Sequence, residues 1–172
     1  MIGKITKNIH TFPSTLCYNN SDGRGCLPLT EKEYPMNSIL FFLTPKAMCA
    51  YLYDDYTIRQ ALEKMETAGY AAIPILNRQG EYVGTLTEGD LLWALKNVCH
   101  MDMRQAESQK ITEISRSRDN KAVPITASMH DLIQRASAQN FIPVVDDYGA
   151  FIGLVTRKAV VKYCYDKLFP ED

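Results

Sequence analysis

Apolar and polar positions along this chain switch between a helical and a strand period, and the same switching occurs twice. Ile58, Ala61, Leu62 and Met65 fall at i, i+3, i+4, i+7, the spacing of a helix that buries one face. Thr57 and Gln60 flank its start as a capping box, the hydroxyl accepting from the third helical amide while the glutamine reaches back. Gly69 supplies the stop. Residues 72–76 are continuously apolar and predict a short buried strand. Asn77-Arg78-Gln79-Gly80 turns the chain into a return strand over 82–86, so a hairpin is expected. Thr87 then opens a helix over 89–97, and residues 48–53 ahead of the first helix read as one more strand.

The second half repeats the plan. Residues 121–126 predict a strand. Met129, Leu132, Ile133 and Ala136 mark a helical face, and residues 142–145 and 151–155 form a second expected hairpin around Asp146-Asp147-Tyr148-Gly149. Thr156 opens a final helix reaching about residue 168. Ile73-Pro74-Ile75-Leu76 returns 69 positions on as Ile142-Pro143-Val144-Val145, and Gly84-Thr85-Leu86-Thr87 as Gly153-Leu154-Val155-Thr156. Each unit is therefore β-α-β-β-α. Two copies in one chain are expected to pack about a pseudo-twofold axis and leave related clefts between them. The expected division is a first unit over 36–98, a polar, partly helical linker over 99–117 and a second unit over 118–172. Residues 1–35 carry turn formers without periodicity and read as a disordered extension, with Met36 a candidate natural start.

Charge and cysteines narrow the function. The chain has 172 residues, 46% hydrophobic, with a formal net charge of −1. That balance provides no basic field for nucleic acid or an anionic membrane. No apolar run nears the roughly 18 residues that span a bilayer. The odd number of cysteines, 5 in all with no CxxC pair, suits reduced thiols in a cytoplasmic protein better than a disulfide framework. His10, His100 and His130 are scattered, with no partner at a catalytic spacing. No phosphate-binding glycine loop and no metal motif occurs, so the chain reads as a non-enzyme that requires no cofactor.

The segments Gly69-Tyr70-Ala71-Ala72-Ile73-Pro74-Ile75-Leu76 and Gly84-Thr85-Leu86-Thr87-Glu88-Gly89-Asp90 carry a family resemblance. So do their echoes Phe141-Ile142-Pro143-Val144-Val145-Asp146 and Gly153-Leu154-Val155-Thr156-Arg157-Lys158. Together they resemble a tandem pair of CBS domains, or Bateman module, and within it the small stand-alone CBS-pair proteins of Gram-positive bacteria. The resemblance implies an α/β (α+β) fold of two packed CBS repeats and regulation by an adenosyl ligand: AMP, ADP, ATP, S-adenosylmethionine or cyclic di-AMP. It also implies clefts built crosswise from both repeats, and a homodimer packed through helices that here include Trp93 and Tyr163.

On that resemblance the first cleft comprises Met48, Ala50, Tyr70, Ala71, Ala72 and Pro74, with Thr156, Arg157 and Lys158 from the other repeat. The small alanines leave room for adenine, and Tyr70 is placed to stack on it or to pack in the core. Ala159 stands where the family's ribose aspartate belongs. Arg157 and Lys158 favour phosphates, and so a cyclic dinucleotide over AMP, or else form a solvated helix face. The second cleft comprises Gly84, Thr87, Asp90, Asn120, Lys121, Phe141 and Ile142. The Asp90 carboxylate suits a vicinal diol, although Thr87 and Asp90 are equally a helix cap. A loop about two residues shorter, carrying Phe141 and Ile142, is expected to tighten this pocket. Two functions follow: an adenine-nucleotide sensor that signals to an unidentified protein partner, or an interaction scaffold with both clefts empty.

Overall fold

Each repeat supplies one sheet and its flanking helices, but each core is finished by the chain segment that precedes the other repeat. The computed structural model describes residues 38–100 and 102–170, which lie in one unit spanning Met36–Asp172. The expectations for residues 1–35 fall outside the described residues. In order come β1 (Thr44–Pro45), β2 (Leu52–Tyr53), α1 (Ile58–Ala68), β3 (Ala72–Leu76), β4 (Tyr82–Thr87) and α2 (Glu88–Asn97). They are followed by α3 (Met103–Ser108), β5 (Val123–Pro124), α4 (Met129–Ala138), β6 (Phe141–Val145), β7 (Phe151–Thr156) and α5 (Arg157–Leu168). Short 3-10 turns occupy Ile39–Phe42, Lys46–Met48 and Ile111–Glu113.

Among the described residues the strands form two sheets, ordered β2-β3-β4 and β1-β7-β6-β5. In both, a parallel edge strand (β2 or β5) precedes an antiparallel hairpin. The local signals act as the residues dictate. The Thr57–Gln60 capping box is complete, Gly69 closes α1 in the left-handed conformation at φ 67°, and Ser128 with Asp131 makes the matching box on α4. The strands expected over 48–53 and 121–126 shrink to two residues each, because only Leu52–Tyr53 and Val123–Pro124 find partners on the neighbouring strand.

The first core gathers Leu52, Ile58, Ile73, Ile75, Leu86 and Leu91, and is completed by Ala106, Ile111 and Ile114 of the linker. The second gathers Val123, Leu132, Ile142, Val144, Val155 and Val160, and is completed by Ile39. Each such Leu or Ile contributes roughly 1.5–3 kcal/mol by leaving water, so this exchange binds the repeats together. Gly153 shows how closely they approach. Pro45 of β1 pairs with it, and a Cβ there would stand 2.2 Å from the Thr44 carbonyl oxygen. The hairpin turns also meet. Tyr82 N–H donates to Gly149 O and Phe151 N–H to Gly80 O, reciprocal bonds between equivalent residues about a pseudo-twofold axis.

Candidate ligand clefts

The chain starts of β3 and β6 lie side by side at the axis, each held by an equivalent bond. Glu88 N–H donates to Ala71 O (3.0 Å) and Arg157 N–H to Asn140 O (2.9 Å). Two cavities open beside this junction and share Ala71, Ala72 and Asn140.

The first cavity holds about 260 Å3. Met48, Ala50, Tyr70, Ala71, Ala72 and Pro74 line it from one repeat, and Asn140, Phe141, Leu154 and Thr156 from the other, together with Thr44 and Cys49. None of these side chains carries a formal charge at neutral pH. Met48 is 75% exposed and Tyr70 53%, so two large apolar groups border an uncharged recess. Thr156 accepts from Ala159 N–H as the cap of α5. Ala159 itself packs against the second core and offers the recess no acceptor. Burial pushes the Cys49 thiol up, against a smaller opposing effect of a Leu154 backbone hydrogen bond, so it stays protonated.

The second cavity, about 280 Å3, is lined by Thr85, Thr87, Arg118, Asn120, Ala138 and Arg157 beside the shared residues. Asp90 and Gly84 do not line this cavity; Asp90 is buried behind Thr87 and is already committed. Ser117 donates both its backbone N–H and its hydroxyl to Asp90 Oδ1, each at 2.7 Å. Thr87 donates its N–H (3.0 Å) and hydroxyl (2.7 Å) to Oδ2. Burial opposes ionisation of this carboxyl, yet the hydrogen bonds from Ser117 and Thr87 together outweigh it and hold Asp90 below its ordinary value. Gly84 is covered as well. Asp119 accepts from Thr85 N–H at 2.9 Å and pairs with Arg116 at 3.0 Å, and a Cβ on Gly84 would stand 2.6 Å from the Asp119 carboxylate.

The structure thus brings together Met48, Ala50, Tyr70, Ala71, Ala72, Pro74 and Thr156. Arg157, assigned by sequence to the first cleft, lines the second cavity, where its Nε donates to Gln139 O. Lys158 is exposed and lines neither. Of the second group, Thr87 and Asn120 line the second cavity, whereas Phe141 lines the first. Ile142 is wholly buried in the second core. Lys121 lines neither cavity; its backbone is tied to the Gln139 side chain. Sequence reasoning missed Thr44, Cys49, Asn140 and Leu154. Asn140 was legible as the repeat equivalent of Ala71; Thr44 and Leu154 meet only through the long-range β1–β7 pairing.

Comparison with known proteins fits this geometry. The CBS domain family model matches residues 44–97 and 111–166. No curated protein matches the chain. Among solved structures, CbpB in complex with c-di-AMP superimposes with TM-score 0.67 at 20% identity, over 76% of this chain and 86% of that one. A CBS domain protein from Streptococcus pneumoniae TIGR4 gives TM-score 0.67 at 24% identity, over 75% and 87%. CBSX2 in complex with AMP gives TM-score 0.61 at 20% identity, over 77% and 99%.

Proposed function

The chain belongs to the CBS domain family, and we propose that it is a non-catalytic sensor that takes an adenine nucleotide in its first cleft. The observation that carries this reading is the uncharged recess between the repeats, walled by Ala50, Ala71 and Ala72 and bordered by exposed Met48 and Tyr70. An aromatic base is the natural guest of such a surface. Structures of the same fold hold c-di-AMP and AMP, which supports the ligand class. Between these, the absence of a carboxylate at Ala159 favours cyclic di-AMP over AMP or ATP, because a 3′-5′ linked ribose presents no vicinal diol to be read. Arg118 and Arg157 in the adjoining cavity suit its phosphates.

In this reading the protein is cytoplasmic and dimeric. Ligand shifts the balance between two arrangements of the repeats, by no more than its difference in affinity for them, and a protein partner reads the result. Exposed Leu92 and Trp93 on α2 and Val161 and Tyr165 on α5 are the apolar surface available for such contacts. They also favour the second reading, an interaction scaffold without ligand. Thermal denaturation with cyclic di-AMP, AMP, ATP or S-adenosylmethionine separates the two. A ligand at about 100 times its Kd stabilises by about 2.7 kcal/mol. No shift with any of them, together with retained self-association, leaves the scaffold.

A further inference from the structure

The two clefts differ in what stands beside them. The N-caps Thr57 and Ser128 set the correspondence ahead of the first helix of each repeat. On that correspondence Ser117 and Asp119 take the places that Lys46 and Met48 hold in the first half. Met48 leaves its cleft open. Asp119 bonds the Thr85 amide, and Ser117 faces Asp90 with two donors on one carboxylate oxygen. Two hydrogen donors on one carboxylate are what a ribose presents through its vicinal hydroxyls.

We propose that the carboxylate beside the second cleft is latched: Ser117 occupies Asp90 in place of ribose hydroxyls, and a ribose reaches that carboxylate only by displacing the segment 116–119. The inference rests on the reading that this chain takes adenosyl ligands. It adds that the two clefts are not equally available. It also gives occupancy a mechanical consequence. Ser117 lies between Ile114, buried in the first core, and Asn120, whose side-chain amide donates to Phe141 O at 2.9 Å in the second sheet. Freeing Ser117 therefore loosens the linker from both repeats at once, and the second cleft becomes the place where a high nucleotide concentration is converted into a change of inter-repeat geometry.

Titration calorimetry with AMP, which carries the free diol, tests the latch on the full chain. Ser117→Ala removes one of the two donors at an exposed position, so the fold persists, as matching thermal melts would show. The variant is expected to bind one more AMP per chain than the wild type, and Ser117→Ala combined with Asp90→Asn is expected to lose that extra site. Hydrogen exchange provides the second readout: the Ser117 amide exchanges slowly in the wild type and faster in Asp90→Asn. Equal AMP stoichiometry in wild type and Ser117→Ala overturns the proposal, as does a wild type that takes two AMP while the Ser117 amide stays protected. Failure of the first-cleft reading looks different. It appears as nucleotide binding by the wild type that Tyr70→Ala leaves unchanged, and the extra-site comparison still decides the latch.

Discussion

Tyr82 and Phe151, equivalent residues of the two repeats, stack across the pseudo-twofold axis with ring centroids 6.3 Å apart and planes inclined by 27°. Their difference is one hydroxyl, and it serves one side only. Tyr82 OH donates to Asn120 O at 2.7 Å and lies 2.8 Å from Thr85 Oγ1. Burial, the largest influence, pushes its pKa up to about 12. The folded state thus prefers the neutral phenol. That stabilisation is complete below the ordinary tyrosine value of about 10 and disappears as pH rises through about 12. An ultraviolet titration should show a tyrosine step near pH 12 that Tyr82→Phe abolishes. The same variant should cost about 1–2 kcal/mol by leaving Asn120 O without its donor.

Asp90 gives the opposite pH dependence. Its folded pKa lies below the ordinary aspartate value because of Ser117 and Thr87, despite burial. Its contribution is complete above the unfolded value of about 3.9 and is lost as pH falls through the lower folded value. Asp90→Ala removes the acceptor for four donors and half of a helix cap. It should lower stability at pH 7 by about 2–4 kcal/mol. Denaturant melts at pH 7 and pH 3 should show the gap between wild type and variant closing at the acid end. A constant gap would mean that the carboxylate charge contributes nothing.

Arg157 reports on the ligand. Its Nε donates to Gln139 O, and it lines the second cavity together with the residues shared with the first. Arg157→Ala should weaken cyclic di-AMP binding by about 1–3 kcal/mol, the range for a lost charge-assisted bond. It should also flatten the salt dependence of binding, since one cation no longer meets phosphate. Calorimetry at two salt concentrations measures both. Unchanged affinity and slope would remove Arg157 from the site.

What the residues disclosed in advance was local. The Thr57–Gln60 box, the Gly69 stop and the apolar runs of β3 and β6 each act within a few residues, so pattern alone located them. The small alanines of the first cleft followed from the repeat. The crossing segments were not legible. Ile39 fills the core of the distant half, β1 pairs with β7, and Ser117 reaches back to Asp90. Each depends on long-range geometry that leaves no period in the sequence. Asp90 stays ambiguous for the same reason: Thr-x-x-Asp looks alike whether its carboxylate faces a sugar or a serine.

Trp93 tests the apolar surface. It is 54% exposed on α2 with the Lys96 ammonium 5.3 Å from its ring centroid. Large exposed aromatics beside Leu92 are favoured at association surfaces. Trp93→Glu should shift the protein toward monomer in sedimentation velocity while leaving the thermal melt of the monomer unchanged, since no core contact is lost. An unaltered sedimentation coefficient would remove Trp93 from any self-association surface.

Two glycines should respond to one added methyl group in opposite directions. At Gly153 a Cβ would meet the Thr44 carbonyl oxygen at 2.2 Å and Thr44 carbon at 3.1 Å. Both are backbone atoms and cannot swing aside, so β1 must part from β7. Overpacking of this kind costs about 1–3 kcal/mol, occasionally more, and it releases Ile39 from the second core as β1 lifts. At Gly89, in the first turn of α2, a Cβ meets only Thr87 Oγ1 at 3.6 Å, an ordinary contact. Alanine there restricts the unfolded chain and should raise stability by about 0.4–1 kcal/mol. Urea melts of Gly153→Ala and Gly89→Ala should therefore move to either side of the wild type. If Gly153→Ala melts with the wild type, the two repeats are not bound together through the β1–β7 crossing.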